Sequence, residues 1–208
     1  MGMTLPLNWI LIGITVVVSW MAFGNPRLLD RLILWPPAID RQKQYDRLLT
    51  HGFIHADWSH LLFNMLTLFF FGGVVERWFA QAAGPLAYVL FYLSAIVVAI
   101  LPTWSQHRHD ARYRSLGASG AVSAVMFVFI LLEPWSKIYM FFIPIGIPAV
   151  VYAVLYVGYS IWMDRRGQDN VNHSAHLWGA AYGVMVALVV EPQVLSHFLG
   201  RVMRPALG

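Results

Sequence analysis

The sequence predicts an all-α polytopic membrane protein of six transmembrane helices, with a short central fourth helix and a long loop between the first two. Of its 208 residues, 59% are hydrophobic and only 12% are charged, whereas a soluble domain averages about 25% charged residues. Apolar segments recur six times, at about 7–23, 60–79, 85–101, 119–132, 141–163 and 173–190. All but the fourth are near the length that spans ~30 Å of hydrocarbon at ~1.5 Å per residue. No internal repeat or low-complexity tract divides the chain, so a single membrane domain over 1–208 is expected.

The elements follow in order. Segment 7–23 lacks a basic leading region and a small-x-small cleavage site, so it reads as a retained helix rather than a signal peptide. Asn25 to Ser59 is a long mixed loop, and Trp35-Pro36-Pro37 breaks it too sharply for one spanning helix. Segments 60–79 and 85–101 are joined by a short link. Thr103 to Leu116 carries His107, Arg108, His109, Asp110, Arg112 and Arg114 and reads as a wet loop. Segment 119–132 reaches only roughly 21 Å as a helix. If its far end sits at one interface, its first residue lies below the other, at the floor of a water-lined cavity. Segments 141–163 and 173–190 complete the set, with a short charged link at 164–172.

The net charge of +4 is spread over short polar segments without a basic block. That pattern suits anionic lipid headgroups and gives no sign of nucleic-acid binding. The absence of cysteine excludes disulfides and thiolate metal sites. His51, His55 and His60 cluster, but His51-Gly52-Phe53-Ile54-His55 has glycine where a zinc-peptidase helix needs glutamate. No metal is expected.

Polar side chains inside a bilayer are costly and mark function. Ser119, in Gly117-Ala118-Ser119-Gly120, opens segment four. A helix start offers free backbone N–H groups and a positive dipole end to an oxyanion formed there. Gly117 and Gly120 permit close backbone approach. His176 lies early in segment six, in Ala175-His176-Leu177-Trp178-Gly179. Ala175, Gly179, Gly183 and Ala187 form a small-residue stripe, and Gly120 and Ala124 offer its counterpart. Close packing of those stripes would bring His176 to Ser119 as a general base. No carboxylate neighbours His176 in sequence, so a dyad is expected rather than a triad. His60 and Asn64, four residues apart, share a helical face and can supply oxyanion donors.

These motifs, in this order, resemble the rhomboid family of intramembrane serine proteases. The likeness rests on His55-x-x-x-x-His60-Leu61-x-x-Asn64, Gly117-x-Ser119-Gly120 and Ala175-His176-x-x-Gly179, with Gly72-Gly73-Val74-Val75-Glu76 beside them. The resemblance covers roughly residues 45 to 187. It implies Ser119 as nucleophile and His176 as base. His60, Asn64 and the Ser119 N–H would form the oxyanion hole, with Gly117, Gly120, Gly179 and Gly183 supporting. It further implies a six-helix core acting on transmembrane protein substrates within the lipid bilayer, with no cofactor. A bacterial inner (plasma) membrane, with both termini cytoplasmic, is the expected setting. The alternatives for this chain are a catalytically inactive rhomboid-like protein that binds membrane segments, or a processing peptidase for C-terminal sorting tails.

The chain departs from the family at three points. Asp46-Arg47 stands where the first loop often has Trp-Arg. Ser123 stands where an aromatic residue can stack on the histidine, so another group must hold His176 or it is held less firmly. The Lys and Arg distribution also disagrees. In a six-span arrangement Arg77, Lys137, Arg201 and Arg204 share the terminal side, and the other ten lie opposite. The positive-inside rule then favours external termini; three ordered motifs outweigh that statistic. Glu76, sixteen residues after His60, is roughly 160° round the helix and roughly 24 Å along it. It reads as structural.

Overall fold

The computed structural model describes residues 6–140, 143–167, 169 and 171–204, and these form helices with one small hairpin. The first helix, α1 (Leu7–Phe23), starts against a distant carboxylate. Glu76 accepts from the N–H of Leu7 at 2.6 Å and of Asn8 at 3.2 Å. Two of the donors that a helix start leaves unpaired are thereby satisfied, and a negative charge meets the positive dipole end.

The loop after α1 folds into α2 (Pro26–Leu32), α3 (Pro36–Gln42) and α4 (Arg47–Thr50), followed by a helical turn, His51–Phe53. Pro26 and Pro36 sit in the first turns of α2 and α3, where a missing N–H costs nothing. Arg47 packs this loop. Its Nη1 donates to the carbonyls of Asp30 (2.6 Å) and Ile33 (2.8 Å), and its Nε to Gln44 at 2.6 Å. The neighbouring Asp46 pairs with Arg31 at 2.7 Å. An antiparallel bridge from Leu34 to Ser115 ties the loop to the approach of the fourth segment.

Segment two begins earlier and ends later than 60–79. Helices α5 (Trp58–Thr67) and α6 (Gly73–Ala83) are joined by a wide π turn, Leu68–Gly72, into one 26-residue rod. Asn8 fastens this turn: its Nδ2 donates to the Leu68 carbonyl at 2.8 Å, while Tyr88 donates to Asn8 Oδ1 at 2.7 Å. Helix α7 (Ala87–His107) runs through Pro102, past the expected end at 101. The first residues of the expected wet loop are therefore helical. Buried Thr103 anchors them by donating to Asn172 Oδ1 at 3.1 Å.

Helix α8 (Ser119–Leu132) has the expected bounds and occupies the centre, packed against α7, the π turn and α10 (His173–Val190). The fifth segment differs from expectation. Its first part belongs to an antiparallel hairpin, β1 (Lys137–Met140) with β2 (Ile143–Pro148), and only then does α9 (Ala149–Arg166) begin. Phe141, where that segment was set to start, lies outside the described residues. The reason is in Ile143-Pro144-Ile145-Gly146-Ile147-Pro148: each proline removes a donor and holds the residue before it extended. A closing helix, α11 (Val194–Val202), was not anticipated. Its Arg201 bonds the Leu132 carbonyl and pairs with Glu133 at 3.1 Å, neutralising the end of α8.

Trp58–Ala83, α7 and α10 are long and apolar enough to cross a membrane, while α1 and α8 are apolar but shorter. Apolar side chains such as Trp20, Phe70, Leu90, Val154 and Val189 cover the outside. In water such a surface would be an aggregation hazard; facing lipid, it is the stable arrangement.

Candidate active site

Three chain segments build the site around the first turn of α8. The approach to that turn is fixed by backbone and histidine contacts. Gly117 has φ +113, which favours glycine, and donates its N–H to the His51 carbonyl at 2.9 Å. A Cβ there would also lie 2.6 Å from His60 Cε1, so the imidazole rests directly on the glycine backbone. Ser19 Oγ gives its proton to the Phe53 carbonyl, so His55 Nδ1 must donate to Ser19 Oγ at 2.9 Å. That leaves His55 Nε2 as the acceptor for the Ala118 N–H at 3.5 Å. His51 likewise bonds the Arg47 carbonyl through Nδ1 at 3.1 Å. These two histidines brace the loop. Among the described residues no three His, Asp or Glu side chains gather as metal ligands would.

Helix α5 supplies the second wall. Asp57 caps it, accepting from the His60 N–H at 2.8 Å and from the Ser59 hydroxyl. Those bonds, that of Ser59 foremost, hold the Asp57 carboxyl below its ordinary range. The cap places His60 and Asn64 on one face. Asn64 gives one amide proton to the His60 carbonyl at 3.0 Å, leaving its second donor for the cavity.

Helix α10 is the third wall. Asn172 caps it, accepting from the Ala175 N–H at 2.9 Å. The seam with α8 is backbone on backbone. A Cβ on Gly179 would overlap the Gly120 carbonyl and lie 2.8 Å from its carbon; on Gly183 it would be 2.9 Å from the Ala124 carbonyl carbon. On Gly120 it would be 2.7 Å from Ala99 Cβ on α7. His176 rides beside this seam.

Ser119, His176, His60, Asn64, Gly117 and Gly120 all line one cavity of about 1040 Å³. Gly179 and Gly183 lie behind it in the seam. No hydrogen bond among the described residues joins Ser119 to His176. Such bonds commonly tighten only when substrate is bound.

In and beside the cavity are contacts that sequence reasoning missed. Tyr156 of α9 lies nearly parallel to His176, with ring centroids 6.1 Å apart and planes at 25°. Ser123 Oγ meets the Tyr156 hydroxyl at 2.6 Å. His173 donates from Nε2 to Asp169 at 3.1 Å and meets the His176 ring edge-on at 5.7 Å. The His173 hydrogen bond holds the Asp169 carboxyl below its ordinary range. Tyr152 and Tyr156, four apart on one helix, were the available signal for an aromatic wall.

Comparison with known proteins identifies the family. The Rhomboid domain profile matches residues 42–193. A relative from Arabidopsis thaliana, RHOMBOID-like protein 12, mitochondrial, is 33% identical over an alignment covering 84% of this chain and 55% of that protein. The chain therefore spans about half the length of that curated relative. A match over most of the sequence places this chain in the rhomboid family of membrane proteins.

Proposed function

We propose that the protein is an intramembrane serine endopeptidase that cuts transmembrane segments of other proteins. One observation carries the reading: Ser119, His176, His60 and Asn64, drawn from three helices, line a single cavity. His176 takes the proton of Ser119 as its Oγ attacks a peptide carbonyl. The oxyanion faces the Ser119 N–H, the free Asn64 amide proton and the His60 imidazole. His176 returns the proton to the leaving amine, and water then hydrolyses the acyl-enzyme. A helical peptide bond is shielded by its own hydrogen bonding, so substrates must unwind near the cut. Small residues at the cut and helix breakers beside it meet that need.

The finer topology belongs to the same proposal. Helices α1, α5–α6, α7, α8, α9 and α10 form six transmembrane elements, with both termini cytoplasmic in a bacterial inner membrane. Fluorophosphonate labelling of the purified chain, with cleavage of a reporter transmembrane substrate, tests the activity. Labelling of wild type but not of Ser119→Ala supports the protease. Absence of both labelling and cleavage favours a membrane-segment binder, the alternative within the family.

A further inference from the structure

We propose that Tyr156, on α9, positions the His176 imidazole and is itself anchored by Ser123. The proposal deepens the protease reading and rests on it. An offset stack of two rings at 6.1 Å and 25° is an attractive arrangement for planar side chains. Edge-on contact with His173 bounds the same imidazole from another direction. His176 is thus confined by α9 and by its own helix.

Tyr156 has little freedom of its own. Phe127 of α8 lies 5.7 Å from its ring and Tyr152 stacks at 5.8 Å. The direction of its hydroxyl bond follows from proton counting. Ser123 has one hydroxyl proton, and its Oγ gives it to the Ser119 carbonyl at 2.8 Å. Tyr156 must therefore donate to Ser123 Oγ at 2.6 Å. A path of two hydrogen bonds and one stack then joins the backbone of Ser119 to the ring of His176. It runs from the Ser119 carbonyl through Ser123 and Tyr156. The two reacting side chains are referenced to each other through α9 as well as through the α8–α10 seam.

Ordinary packing is a poorer account of Tyr156. The fully buried residues of α9 are Ala149 and Ser160. Most of α9 is half-buried or exposed, yet this ring is bounded by Phe127, Tyr152 and His176 and bonded at its hydroxyl. A small residue at 123 both leaves room for the ring and supplies the acceptor.

The test uses the full chain in detergent, with histidine ¹³C-labelled at Cε1 and the His176 signal identified by its loss in His176→Ala. The ring-current shift of that signal should persist in Tyr156→Phe and disappear in Tyr156→Leu. In cleavage assays Tyr156→Leu should lose about 10²-fold in kcat, the scale of a 1 Å misplacement, with KM and unfolding midpoint near wild type. Tyr156→Phe should recover most of that loss. Ser123→Ala, which also removes the bond to the Ser119 carbonyl, should lose at least as much as Tyr156→Phe, and the Tyr156→Phe/Ser123→Ala double variant should be no worse than Ser123→Ala alone, because the Tyr156–Ser123 bond is already gone in it. A Tyr156→Leu variant with an unaltered His176 signal and unaltered kcat, or with loss confined to KM, would overturn the proposal. Additive effects in the double variant would overturn the Ser123 anchor. A wild type that Ser119-directed probes never label, while its His176 signal still responds to Tyr156→Leu, would instead overturn the protease reading and leave the ring contact upheld.

Discussion

Ser119, the proposed nucleophile, stands at the point where loop becomes helix. The first-turn N–H groups of α8 have no acceptor within the helix, and the dipole adds positive character there. His176 arrives from a helix more than fifty residues later in the chain. Two expectations follow at this scale. Ser119→Ala and His176→Ala should each abolish cleavage of a reporter substrate while folding normally, because members of a relay fail as a unit. Near wild-type turnover in either would sink the dyad. Asn64→Ala should retain a measurable rate, reduced by ~10²–10³, the usual consequence of losing one oxyanion donor. His60→Ala should be equal or worse, since the ring also seats the Gly117 backbone. Unchanged turnover in both variants would remove them from the oxyanion site.

Among the elements, the α8–α10 seam determines how the walls of the cavity meet. At Gly179 even a methyl group would overlap the Gly120 backbone, which cannot swing aside as a side chain can. Gly179→Val should still insert, since valine suits a membrane helix, but the helices must part by an ångström or more. Loss of most activity and of most Ser119 labelling is expected, on the order of 10²-fold. Wild-type labelling in that variant would show that the seam does not position His176. The π turn and α1 form a second joint, closed by Asn8 and Glu76. Glu76→Ala removes a carboxylate from a helix start and should cost about 1 kcal/mol. The measurable sign is a lower unfolding midpoint in detergent with the cleavage rate of the folded enzyme preserved. A rate that fell while the midpoint held would make Glu76 part of the reaction and not of the scaffold.

For the whole molecule, charge and motifs argue for opposite orientations. The charge count places ten of the fourteen Lys and Arg opposite the termini. Several of these are engaged in the fold: Arg47 binds loop carbonyls, Arg31 pairs with Asp46, and Arg108 pairs with Asp40. The ordered motifs shared with the rhomboid family weigh on the other side. Cytoplasmic termini are therefore expected. Alkaline phosphatase fused after Gly208 should be inactive and a fluorescent protein there should glow. The reverse pattern would mean that the positive-inside rule prevails.

The sequence alone determined the membrane class, the family and the bounds of α1, α8 and α10. Continuous apolar runs and ordered short motifs depend on local order, and local order is what a sequence displays. It also singled out Ser119, His176, His60 and Asn64, because polar groups in apolar segments need a reason. It did not reveal the β1–β2 hairpin, where two prolines outweighed an apolar run. Nor did it reveal the helix running through Pro102, where Thr103 found a partner in Asn172, the cap of α10. Only the tertiary structure decided what lies over His176. The small residue at 123 leaves a space, and the ring that fills it, Tyr156, comes from α9, thirty-three residues away. No periodicity encodes that contact, because it depends on how separate helices pack and not on the order of residues within either one.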